Sequence, residues 1–213
     1  MMILALLAQK GGCGKSTLAR ALAVAALQEQ RRTVLVDADP QETVVKWARR
    51  RTFPAPTVVA VEGRSLADVL DQVESARPDL VIIDTPPHLR AVVSVAAARA
   101  NAALLPCRPT PEDLEALGDT ADLVRDRPAG IVFNGVPAKG GALTLARAGV
   151  AALNLPCAPV AVIERVSHPY ASAEGLTVLE REPGSKAAAE ITDLWAWVRD
   201  SLLAAPERIK IPA

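Results

Sequence analysis

The stretch Gln9-Lys10-Gly11-Gly12-Cys13-Gly14-Lys15-Ser16-Thr17 links an apolar run at about 2–8 to a helix-forming segment at about 15–30. Glycines let a backbone turn sharply and present successive N–H groups to an anion with no Cβ in the way. A helix opening directly after the turn adds the positive end of its dipole. Lys15 places a point charge for the β- and γ-phosphates of a nucleotide, and the Ser16 hydroxyl is set to ligate Mg²⁺. A strand, a glycine-rich loop and a helix in this order read as a phosphate-binding loop at the first turn of an α/β domain.

Outward from the loop, short apolar runs alternate with longer amphipathic ones, the pattern of a mostly parallel twisted sheet with helices on both faces. Strands are expected at about 2–8, 33–37, 57–61, 79–84, 101–106, 129–134 and 158–163. Helices are expected at about 15–30, 41–51, 65–76, 88–99, 111–125, 141–152 and 185–204. Pro78, Pro106, Pro128 and Pro156 punctuate the joins. No repeat and no linker divides the chain, so residues 1–213 read as a single domain. Two strands end in carboxylates. The run TVLVDADPQ (33–41) places Asp37 and Asp39 at its carboxyl end, two residues apart and so on one strand face, and DLVIID (79–84) ends in Asp84. The carboxyl ends of the strands are where an open α/β sheet binds its ligands.

Composition narrows the function. Half of the 213 residues are hydrophobic, only 3% are aromatic, and the formal net charge is zero. A stacking platform for single-stranded nucleic acid is therefore excluded, and any contact with DNA must come from a local basic patch. Cys13, Cys107 and Cys157 form no CxxC pair, which argues against zinc and iron–sulfur sites. No run reaches the roughly 18 apolar residues of a membrane span, and the N-terminal run lacks a basic leader. These features point to a soluble, cytoplasmic protein.

The loop departs from the ordinary G-x-x-x-x-G-K-[ST] motif by carrying Gln9 at its first position. The sequence KGGCGKS (10–16) instead resembles the deviant Walker A motif, KGGxGK[ST], of the ParA/MinD family of P-loop ATPases. That resemblance implies a catalytic set of Lys10, Lys15 and Asp39. Lys10 would reach across an ATP-dependent homodimer to the partner's nucleotide, a cation arriving in trans to neutralise charge on the transferred phosphoryl group. Asp39 would orient the attacking water, and Ser16, Asp37 and Asp84 would hold Mg²⁺. Thr85-Pro86-Pro87 would sense the γ-phosphate; where the family often has glycine this chain has His88, to which no chemistry is assigned. ATP or ADP would contact Lys10, Gly11, Gly12, Cys13, Gly14, Lys15, Ser16 and Thr17. LLPCRPTPEDLEAL (104–117) resembles the family's proline-rich turn beside the nucleotide, with Pro109 and Asp113 at familiar positions. Asn134, ending GIVFNGVP, would contact adenine; an asparagine there could equally cap a turn. VIERVSHPYASAEGLTVLE (162–180) resembles the segment before the family's last helix, so the likeness spans nearly the whole chain.

The same resemblance implies non-specific DNA as a partner, a centromere-binding adaptor that stimulates hydrolysis, and a nucleoid-associated location. Two basic sets are candidates for DNA phosphates: Lys46, Arg49, Arg50 and Arg51, and more loosely Arg165, Arg181 and Lys186. The expected function is plasmid or chromosome partition. The alternatives are positioning of a protein cargo and an ATP-dependent small-molecule synthetase on the same fold. The last helix (KAAAEITDLWAWVRDSLL, 186–203) sets Ile191, Leu194, Trp195, Val198 and Leu202 at helical spacing, so Trp195 and Trp197 read as core or edge packing. The final AAPERIKIPA is too short and proline-broken to be a membrane-binding helix.

Overall fold

The computed structural model describes residues 1–204. Seven strands form one sheet: β1 (Met2–Leu6), β2 (Thr33–Asp37), β3 (Thr57–Ala60), β4 (Leu80–Asp84), β5 (Ala102–Cys107), β6 (Ala129–Val136) and β7 (Val162–Ile163). Their order is β3-β2-β4-β1-β5-β6-β7, and every pairing is parallel. The helices are α1 (Lys15–Gln28), α2 (Thr43–Ala48), α3 (Leu66–Ser75), α4 (Arg90–Arg99), α5 (Pro111–Asp122), α6 (Ala142–Gly149), α7 (Ser167–Ala173), α8 (Val178–Arg181) and α9 (Lys186–Trp197).

Both faces of the sheet are covered, which is why its strands read as unbroken apolar runs. Side chains alternate between the faces. In β1 and β4, Leu4, Leu6, Leu80 and Ile82 join the core under α1, α2 and α7–α9. Ile3, Ala5, Val81 and Ile83 join the opposite core, under α3 to α6. The expected single α/β layer architecture is the one observed.

Differences from the sequence reading lie at the C-terminal end. The strand expected at 158–163 shrinks to Val162–Ile163, preceded by one isolated bridge between Ile131 and Cys157. Pro156 and Pro159 lack the N–H that a longer ladder needs. Helices α7 and α8 were not expected, because Pro169 and Gly175 interrupt the periodicity there. Their signal was Thr177 followed three residues on by Glu180, which closes a capping box at the start of α8. The last helix ends at Trp197 and widens into a π-type turn over Val198–Leu202. Trp195 is buried, and Trp197 lies so close to Gly130 that a Cβ there would sit 2.4 Å from its ring.

The α7–α8 segment is welded to the end of α2. The Trp47 indole is fully buried, donates to the Leu176 carbonyl at 3.0 Å, and has the Arg51 guanidinium 4.5 Å from its ring centroid and that of Arg20 at 5.8 Å. Arg51 also pairs with Glu180 at 2.6 Å and donates to the Gly175 carbonyl at 2.8 Å. Gly175 sits at φ +72°, and a Cβ on it would lie 2.6 Å from the Arg50 carbonyl carbon. Left-handed strain and a backbone clash therefore coincide at one position. Gly175→Ala is expected to cost about 3 kcal/mol in urea denaturation. A loss below about 1 kcal/mol would show that the α2–α7 contact yields freely.

Candidate nucleotide and metal site

The site forms where β1, β2 and β4, adjacent in the sheet, end together. In register, Asp84 of β4 lies beside Leu6 on one side and Asp37 on the other. The glycine loop leaves β1 just beyond Leu6 and enters α1. Gly14 adopts φ +88°, and a Cβ there would collide with the Asn134 side chain at 2.0 Å. The backbone angle thus favours glycine here, and any side chain would also displace the Asn134 amide. Lys15 is buried and donates to the carbonyls of Lys10 at 3.1 Å and Ala8 at 3.3 Å. Cys13 is enclosed in the loop, and burial pushes its thiol up, away from the reactive thiolate.

Asp84 is fully buried and neither carboxylate oxygen has a hydrogen-bond partner. Desolvation pushes its pKa up to about 7, and the nearby Asp37 adds to the rise; the Ser16 hydroxyl, Lys15 and Arg20 pull the other way. A buried carboxylate without partners is costly unless a cation completes the site. The donor set of Asp84 and Ser16 consists of hard oxygens beside a phosphate loop, which suits Mg²⁺.

Asp37 lies beside Asp84 at the ends of the paired strands. Its Oδ1 accepts from the Asp39 N–H at 3.1 Å, and its Oδ2 accepts from Val44 and Val45 at 2.9 and 3.0 Å. It therefore caps the start of α2, whereas the Asp84 oxygens have no such partners. Asp39, half-buried at the mouth, accepts from the Gln41 N–H at 2.9 Å in a local turn. Thr85 is anchored to the Leu6 carbonyl at 2.7 Å, and three residues on His88 holds φ +69°, a left-handed angle glycine adopts more readily.

Two further candidates are held by contacts within the chain. Asn134 donates its amide to the Cys13 carbonyl at 2.7 Å, which braces the loop. Lys10 folds back within its own chain onto Asp113, 3.2 Å away. Asp113 is buried at the start of α5 and also accepts from the Arg108 N–H. Pro109 lies in the turn before α5, next to Arg108.

Within the basic sets, Arg51 is buried on Glu180, Arg165 pairs with Glu190, and Arg181 pairs with Glu174 and Glu182. Among the described residues Lys46, Arg49, Arg50 and Lys186 form no ion pair. Sequence reading missed Arg20, whose signal was a lone charge inside the apolar run LARALAVAAL (18–27). No described helix is long and apolar enough to cross a membrane, and residues 205–213, most of the AAPERIKIPA tail, lie outside the described part.

Comparisons agree with this geometry. The chain is 27% identical over 191 residues to the maintenance of carboxysome distribution protein A of Halothiobacillus neapolitanus, covering 85% of this chain and 88% of that one. The protein of the same name from Gloeobacter kilaueensis is 40% identical over 120 residues, about half of each chain (55% and 54%). Among solved structures, the septum site-determining protein MinD of Pyrococcus horikoshii, complexed with Mg-ADP, superimposes with a TM-score of 0.75 at 17% identity, covering 93% of this chain and 96% of that one. The model of the CobQ/CobB/MinD/ParA nucleotide-binding domain matches residues 4–178. With its deviant phosphate loop, parallel sheet and partnerless Asp84, the chain belongs to the CobQ/CobB/MinD/ParA family of nucleotide-binding domains.

Proposed function

We propose that this protein is a positioning ATPase for a protein cargo, which dimerises on ATP and uses non-specific DNA as its track. The observation that carries the reading is the pairing of a phosphate loop that has its additional lysine, Lys10, with likeness to two carboxysome-distribution proteins. This likeness favours a protein cargo over the plasmid or chromosome partition expected from sequence, and with it a cargo-bound adaptor in place of a centromere-binding one.

In the mechanism, Lys15 moves from the carbonyls that hold it onto the bound phosphates. The loop N–H groups and the α1 N-terminus bind their charge. Asp84 and Ser16 would hold Mg²⁺, which would supply positive charge against the phosphates when bound. Asp39 turns from its local contact with Gln41 to orient water, and Lys10 leaves Asp113 to act on the partner's nucleotide.

Asp39→Ala tests the cycle. It is expected to bind Mg-ATP, to hydrolyse it about a thousand-fold more slowly, and to remain dimeric in size-exclusion chromatography. That dimer should also cosediment with duplex DNA, whereas wild type with ADP should not. A variant that stays monomeric with ATP bound, or DNA association equal in ADP and ATP, would overturn the proposal.

A further inference from the structure

Above the start of α1, a broad open pocket of about 600 Å³ lies between Thr17, Arg20, the end of α2 at Arg50, and α7 with His168 and Ser172. Arg20 and Arg50 converge on one residue of α7. Arg20 donates to the Ser172 hydroxyl at 2.8 Å and to the Thr17 hydroxyl at 3.3 Å, and Arg50 donates to the Ser172 carbonyl at 3.2 Å. Neither has an ion pair among the described residues, although Arg20 is only 6% exposed. The Nε2 atom of His168 is likewise buried without a partner.

Like charges gathered in this way are costly. Desolvation, together with repulsion from Arg50, lowers the Arg20 guanidinium to about 10, while Asp84 and Asp37 oppose the fall. Neither carboxylate forms an ion pair with Arg20, and Asp37 is bound to the N–H groups at the start of α2. The charged groups acting on His168 are Glu190, Arg165, Arg20 and Glu182. Glu190 is bound to Arg165, and Glu182 to Arg181, so neither neutralises the pocket. A buried guanidinium with only hydroxyl partners, beside a second guanidinium and an imidazole, is a receptor lacking its anion.

We propose that this pocket receives a backbone phosphate of DNA, held by Arg20 and Arg50 together. A phosphate offers two oxygens to two planar forks, the geometry in which arginine binds best. The mouth is wide, and the exposed Arg49 next to Arg50 extends the positive charge along the surface, as an extended polyanion requires. Arg51, Arg165 and Arg181 are each held in ion pairs, whereas Arg20 and Arg50 at this pocket are not. The inference rests on the DNA-track reading proposed above.

The test uses the ATP-loaded full chain and a 20-base-pair duplex titrated at several salt concentrations. Arg50→Glu, at the exposed rim, is expected to weaken binding about tenfold or more on every sequence and to lower the slope of log affinity against log salt by about 1. Arg50→Lys should restore most of the affinity, and Lys186→Glu, an equal charge change elsewhere, should have less effect than Arg50→Glu. Arg20→Gln should lose binding similarly, and Arg50→Glu keeps the question open to decision if that buried change impairs folding. Unchanged affinity in Arg50→Glu with DNA binding intact in the wild type overturns the pocket and spares the track. No DNA binding by the wild type overturns both. Inorganic phosphate titrated into protein saturated with Mg-ADP identifies the other source: binding lost in Arg50→Glu, without DNA binding, assigns the pocket to a small free phosphate.

Discussion

Lys10→Ala is expected to leave ADP affinity within about twofold of wild type while ATP turnover falls about a thousand-fold, the scale of a cation supplied in trans. The structure adds a second arm to this experiment. In the resting chain Lys10 is held by the buried Asp113 at 3.2 Å, so the lysine must leave that carboxylate before it can reach another nucleotide. Asp113→Asn keeps the shape and removes the charge. It is therefore expected to raise ATP-dependent dimerisation several-fold, because a charge-assisted contact in the monomer no longer competes. Sedimentation of both variants with ADP and ATP, alongside steady-state turnover, measures the two effects. Wild-type turnover in Lys10→Ala would remove the trans role; weaker dimerisation in Asp113→Asn would show that the carboxylate supports the dimer.

Asp84→Asn carries the second large effect, and it acts in opposite directions on activity and stability. Removing the one partnerless carboxylate of the metal site is expected to lower Mg²⁺-dependent hydrolysis by about a thousand-fold or more. In the metal-free protein the same change should stabilise the fold. The folded-state pKa of Asp84 is raised to about 7, above that of an unfolded aspartate, so folding favours the protonated form. Its contribution is fully present below about pH 4 and is lost as pH climbs towards 7. Asparagine has no proton to lose. In EDTA the variant should exceed wild type by about 3 kcal/mol at pH 8, with most of that gain absent at pH 5. Urea denaturation at both pH values decides it; a variant no more stable than wild type at pH 8 would mean that Asp84 is not an unpaired charge.

The parts of this protein that the sequence revealed are those governed by local rules. The glycine loop, the apolar strands and the carboxylates at the ends of β2 and β4 follow from residue type and period alone. The Thr177–Glu180 capping box was also visible, but a four-residue helix behind it has no periodicity to support it. What stayed hidden depends on which chain segments meet. That three backbone N–H groups converge on Asp37 at the start of α2 is visible only in the fold. Arg49, Arg50 and Arg51 read as one basic patch, but consecutive side chains diverge, and only the fold takes Arg51 inward to Glu180 and leaves Arg50 facing α7. Arg20 looked like an interruption in a core helix because its companions arrive from residues about 150 positions away, as its bond to Ser172 shows (|i−j| of 152).

Trp47 turns this architecture into an optical gauge. An excited indole changes colour and brightness with the charges around it, and this one is sealed from water with two guanidiniums near its ring. One of them, Arg20, shares its field with the metal-site aspartates, and the other locks α2 to α8. Trp195 and Trp197 sit at the far end of the chain on α9. A variant in which both Trp195 and Trp197 are replaced would then carry Trp47 as its single tryptophan, between the metal centre and the C-terminal helices, and its emission would follow each turn of the cycle without any attached dye.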